Sequence, residues 1–135
     1  MSWEHSLVRI AELEVEGLRK RLAAIMERKA VAELRLAMLH AEAEAENARS
    51  AEDAAAGWYR LGFLEGWRMR RDAARVEIAE AEAEERGARD ALTRAFEELK
   101  KYEQVADNAR IAAVRLAAKR ETAAYDEVGL RRAAS

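Results

Sequence analysis

"LVRIAELEVEGLRKRLAAIMERKAVAELRLAMLHA", residues 7–41, decides the fold of this chain. Stepping alternately by three and four residues from Val8 meets Ala11, Val15, Leu18, Leu22, Ile25, Lys29, Ala32, Leu36, Leu39 and Ala43. That period of 3.5 is the seam of a helical coiled coil, sustained for about five heptads and interrupted only by Lys29. The same stepping from Leu64 selects Trp67, Arg71, Ala74, Ile78, Ala81, Glu85, Ala88, Leu92, Ala95, Leu99, Tyr102, Ala106, Ala109, Ala113, Leu116, Arg120, Ala123, Glu127 and Leu130. This second seam is longer and weaker, because it is rich in alanine and carries charge at Arg71, Glu85, Arg120 and Glu127.

Two heptad segments on either side of the break at "EDAAAGW", residues 52–58, predict an all-α fold: an antiparallel two-helix coiled-coil hairpin with a longer C-terminal helix. The expected layout is a single coiled-coil domain over 1–135, with helix one over about 3–53 and a turn at about 51–58. Helix two is expected over about 59–132. Gly57 is the expected C-terminal cap of helix one, since glycine accepts the left-handed conformation such a cap needs, and Asp53 is expected to help turn the chain. At 1.5 Å per residue the helices measure about 75 and 110 Å. The second therefore overhangs, and residues 110–132 are expected to project without cover.

Composition agrees. Half of the residues are hydrophobic, but 32 are alanines, which cannot build a thick core in a chain of 135. Proline is absent, and Ala, Glu, Arg and Leu dominate from end to end. The repeats "AEAEAE" at 41–46 and 79–84 mimic strand alternation, yet both residue types favour helices, so they read as solvated helix faces. A net charge of -2 argues against a general nucleic-acid binder. Basic residues cluster instead at Arg68, Arg70, Arg71 and Arg75 and again at Arg110, Arg115, Lys119, Arg120, Arg131 and Arg132, which suggests two separate contact sites. The absence of cysteine excludes a disulfide framework, a thiolate metal site and a cysteine nucleophile. "MSWEHSLVRI", residues 1–10, lacks a long apolar run and a small-residue cleavage site, and no window approaches a membrane span, so a cytoplasmic protein without direct membrane insertion is expected.

Residues suited to catalysis are scattered. His5 and His40 lie about 50 Å apart along one helix and cannot share a metal or a proton relay within one chain. Glu12 with Glu16, and Glu80 with Glu84, have helical spacing, but the Glu-x-x-His pair of a bundle metal site is missing. No glycine-rich phosphate loop follows a strand. These absences predict a non-enzyme without metal or cofactor.

"GWYRLGFLEGW", residues 57–67, holds four of the eight aromatic residues and three of the six glycines. Tyr59, Phe63 and Trp67 are spaced by four and form one stripe, with Gly62 and Gly66 as a bare row beside it. Two readings apply: the rings close the open end of the coil, or they form a docking patch for another protein. The overhang likewise either frays or waits for a partner. Ala113, Leu116, Ala123 and Leu130 continue the apolar period beyond the reach of helix one, which favours the partner.

Three stretches then resemble the FliJ family of flagellar export proteins. Phe63-Leu64-Glu65-x-Trp67 matches its aromatic-apolar opening of helix two, and Lys101-Tyr102-Glu103-Gln104-Val105 is similar to its Lys-x-Leu-Glu-x-Leu stretch. Arg120-Glu121 followed after four residues by Asp126-Glu127 resembles its C-terminal Arg-Glu-Gln-Lys-x-x-Asp-Glu segment, with Thr122 and Ala123 in place of Gln-Lys. Glu42 and Glu46 stand where some relatives have tyrosines. The resemblance implies a non-catalytic, stalk-like coiled coil of the type III export machinery that regulates its ATPase. Such a protein is cytoplasmic and peripheral to the membrane-embedded export apparatus. It implies contact of Arg120, Tyr125, Asp126, Glu127, Arg131 and Arg132 with the hexameric export ATPase ring. It further implies contact of Leu39, Tyr59, Phe63 and Trp67 with the cytoplasmic domain of the membrane export gate or with export chaperones. The equivalent component of a virulence secretion system, a self-associating structural coiled coil and a single-stranded nucleic-acid binder are the alternatives that the residues leave open.

Overall fold

The computed structural model describes residues 2–53 and 57–134. They form two helices, α1 over Trp3–Glu52 and α2 over Gly57–Ala134, and no strand occurs among the described residues. The fold is the all-α hairpin with a longer second helix, its two helices packed against each other. With no proline to interrupt either run and strong helix formers throughout, backbone hydrogen bonding continues unbroken over 50 and 78 residues.

The chain divides into two compact units. In the first, Gly17–Leu92, the two helices of the hairpin run antiparallel: Arg28 pairs with Glu84, Glu42 with Arg70 and Asn47 with Arg60. Its core is one side chain thick. Leu22, Ile25, Ala32 and Leu39 of α1 are buried, as are Trp67, Ala74, Ala81 and Ala88 of α2. Large residues on one helix thus meet mostly alanine on the other. Leu22 and Ile25 pack with Ala88 and Leu92, and Leu39 packs with Trp67 and Ala74 inside a ring of Leu36, Ala43 and Phe63. Each fully buried large aliphatic side chain stabilises by about 1.5–3 kcal/mol, and each alanine by far less.

The charged interruptions of the two seams answer each other. Lys29 and Glu85, both at seam positions and both partly buried, approach to 3.6 Å between Nζ and Oε2. Arg28 beside them reaches Glu84 at 2.6 Å and Glu77 at 3.3 Å. Arg71 lies over the Trp67 ring, its guanidinium carbon 5.2 Å from the ring centroid.

The other unit comprises Met1–Glu16 with Thr93–Ser135. Within it Ala11, Val15 and Ala95 are buried, and Val8, Leu99, Tyr102, Ala106 and Ala109 are partly covered. A hydrogen bond to Glu98, one turn back on α2, and that carboxylate's charge raise the Tyr102 phenol above its usual pKa, with a smaller contribution from Glu14 of α1. Cover ends at Ala109, and every residue over 110–134 is exposed.

The break departs from the sequence reading at one residue. Gly57 does not cap α1; it is the first residue of α2, and no described glycine has a positive φ. The last described hydrogen bond at the end of α1 is that of the Asp53 N–H, which donates to the Arg49 carbonyl at 3.2 Å. The central part of the expected turn, residues 54–56, lies outside the described residues.

Because Lys29 and Glu85 face each other, changing either alone to Leu should destabilise the chain by about 1 kcal/mol, whereas the double change should be neutral or stabilising. Thermal denaturation followed by circular dichroism reads this directly. Additive losses in the double variant would contradict the pairing.

Candidate functional site

The aromatic segment at the start of α2 splits into an inner and an outer set. Trp67 falls on the seam and is buried, and a buried indole needs an acceptor. It donates from Nε1 to the backbone carbonyl of Leu39 on α1 at 2.5 Å. His40 meets the same ring edge-on, with centroids 5.7 Å apart. Leu39 is buried in the same cluster, and Phe63 is half-buried against it. Tyr59 lies outside, 69% exposed, in edge contact with Trp58, which is 81% exposed. Of the four residues assigned to this patch, Leu39 and Trp67 therefore hold the helices together, while Phe63 is half-buried and Tyr59 exposed.

Gly62 and Gly66 lie in open space, since an added Cβ at either would meet no atom within 4 Å. Their bare row is thus a surface furrow and not a close helix contact. Around the flank of the same unit runs a groove of about 520 Å³ lined by Val31, Leu34 and Met38 of α1 and by Ala73 and Ala74 of α2. Arg35, Glu42 and Arg70 form its polar rim, and Arg70 pairs with Glu42 at 3.4 Å. Val31, Leu34 and Met38 are each more than half exposed. The sequence reading missed this groove. Its signal was present, for these three residues repeat at intervals of three and four away from the seam of Ala32, Leu36 and Leu39, but they form a shorter run than the seam itself.

In the other unit the six residues assigned to the overhang are all exposed. Arg131 and Glu127 form a pair at 2.8 Å across one turn. Arg120 and Glu127 share the seam line, whereas Tyr125 and Arg132 lie seven residues apart on another face. Val114, Leu116, Tyr125, Val128 and Leu130 add exposed apolar surface, Leu130 at 72%. Among the described residues no cluster of three His, Asp or Glu side chains could hold a metal ion, and no helix is long and apolar enough to cross a membrane.

No family model matches the chain, and no solved structure matches it. Curated relatives do. Over 132 residues the chain is 51% identical to proteins named "Flagellar FliJ protein" from two strains of Caulobacter vibrioides, covering 98% of this chain and 95% of each relative. The chain belongs to the FliJ family. A FliJ relationship spanning nearly every residue includes both surfaces described above, the aromatic segment and the exposed end of α2. The names of these FliJ relatives place the family with the flagellum.

Replacing Trp67 by Ala should cost about 3 kcal/mol through the lost packing and the lost bond to Leu39. Gly62→Ala and Gly66→Ala should each raise stability by about 0.5–1 kcal/mol, because the helix gains propensity and the methyl meets nothing. Chemical denaturation measures both. Destabilisation by either alanine would mean that the furrow is packed.

Proposed function

We propose that this chain is a non-enzymatic component of the flagellar protein-export apparatus. It acts as a stalk-like coiled coil whose exposed α2 end engages the ring of the export ATPase. Its aromatic face engages the cytoplasmic domain of the membrane export gate or an export chaperone. One observation carries the reading: α2 outlasts its cover. Ala113, Leu116, Ala123 and Leu130 keep the apolar period of the buried seam yet stand exposed, on a segment with six basic residues against three acidic ones. An apolar stripe with a basic border is suited to an apolar, acid-lined opening in another protein. The flagellar names of the curated relatives favour the flagellar machine over a virulence secretion system.

In this reading the gate-facing contact falls on Tyr59, on the outer edge of Phe63 and on the adjoining groove residues Val31, Leu34 and Met38. Leu39 and Trp67 support that surface from beneath. Tyrosine is enriched among the residues that carry most of the binding energy of protein contacts, and methionine is common on adaptable binding surfaces.

A chain truncated after Ala109 should lose its stimulation of the export ATPase and still melt cooperatively, since residues 110–134 are not part of either core. Full stimulation by the truncated chain would remove the ATPase assignment. Tyr59→Ala with Phe63→Ala should weaken gate binding by about tenfold or more, with helicity retained. Retained binding with lost helicity would show that these rings serve only the fold.

A further inference from the structure

We propose that the exposed seam of α2, residues 113–130, pairs antiparallel with the same segment of a second copy of this chain. The proposal does not rest on the ATPase contact, although the two would compete for one surface. Three features of the segment favour a second copy as occupant. First, the stripe is continuous with an interface already made: Ala95, Leu99, Tyr102, Ala106 and Ala109 are covered, and Ala113, Leu116, Ala123 and Leu130 follow in the same heptad phase without cover. Second, the segment is complementary to itself only when reversed. Lys119 and Arg120 precede Asp126 and Glu127 by seven residues, so with the two-fold axis between Arg120 and Ala123 the basic pair of each copy lies within about one helical turn of the acidic pair of the other, in reach of side chains that lean toward each other. A parallel, in-register partner would stack Arg120 on Arg120 and Glu127 on Glu127, which repel.

Third, the layers fit. With the two-fold axis between Arg120 and Ala123, Ala113 faces the second copy's Leu130, Leu116 faces its Glu127, and Arg120 faces its Ala123. Large residues then meet small or flexible ones, as they do within Gly17–Leu92. Side chains lean toward the N-terminus of their own helix, so Arg120 tilts toward the Leu116 layer. There the Glu127 of the second copy, leaning the opposite way in space, comes to meet it. Lys119 and the second copy's Asp126 flank the seam on one edge. The Arg131–Glu127 pair within one helix is solvent-exposed and yields readily to this arrangement. Few large apolar residues and charged seam positions at Arg120 and Glu127 keep the association weak, roughly micromolar to sub-millimolar.

Sedimentation equilibrium of the full chain over that concentration range tests the proposal, with circular dichroism to confirm that each variant keeps its helicity. The wild-type mass should climb from one chain toward two. The charge variants K119E/R120E and D126K/E127K should each raise the dissociation constant by about tenfold or more, and an equal mixture of the two should recover association because their charges are then complementary. Orientation is read by cysteine cross-linking in a chain that has no native cysteine. Ala113→Cys mixed with Leu130→Cys should form a disulfide-linked dimer, and Ala113→Cys alone should not. A single-chain mass throughout, charge variants that associate as tightly as wild type, a mixture that stays monomeric, or self-cross-linking of Ala113→Cys would each overturn the proposal.

Discussion

The structure depends on one constraint: a core only one side chain thick must be filled by two helices that approach closely. Between Gly17 and Leu92 the solution is unequal. α1 contributes Leu22, Ile25 and Leu39, and α2 places Ala74, Ala81 and Ala88 at its seam. Small residues let the helix backbones approach, and the larger side chains fill what remains. A core made this way buries modest apolar area, so polar contacts at its edges weigh more in deciding alignment. The bond from Trp67 to the Leu39 carbonyl and the Lys29–Glu85 pair are two such contacts. Neither forms if one helix slides by a turn, which is how polar groups on an apolar seam define register.

That economy leaves much of the chain's bulky surface uncommitted. A two-helix core covers only the seam side of each helix, and the remaining faces are outside whatever residues they carry. Val31, Leu34, Met38, Trp58, Tyr59 and Met69 are exposed for this reason, not because the core lacks room for a particular ring. In a thick globular domain such residues would be signs of instability. On a thin helical hairpin they are the material from which contacts with other proteins are made. The same reasoning applies to residues 110–134, where the seam itself is bare.

Stability and interaction are therefore separable at the aromatic segment. Trp67 belongs to the core through its packing, its hydrogen bond and the Arg71 guanidinium above it. Tyr59 contributes to no buried cluster among the described residues, and Gly62 and Gly66 leave open space where larger residues would stand. Two purposes that looked like rival explanations of a single motif are divided along its length. Residues four apart share a face of a helix, so the division runs along the stripe: Trp67 is buried against Leu39, and Tyr59, two turns nearer the start of α2, stands exposed.

The helical class, the antiparallel hairpin, both seams and the likeness to the FliJ family were legible from residue order, because heptad periodicity and helix propensity are local properties that the chain carries wherever it packs. Cover of the α2 seam ends at Ala109, and α2 is the longer helix. Residue order did not determine which charges would meet: Lys29 and Glu85 each looked like a flaw until the antiparallel register set them opposite one another. It could not separate Trp67 from Tyr59, since burial depends on the angle at which α2 faces Leu39. The groove of Val31, Leu34, Met38 and Ala73 exists only because two helices come together with their off-seam faces side by side. Gly57 was read as an end and proved a beginning, because with no positive φ required the same residue serves as the first turn of a helix. Local pattern set the elements; the register between distant segments, which no single window contains, decided what each side chain touches.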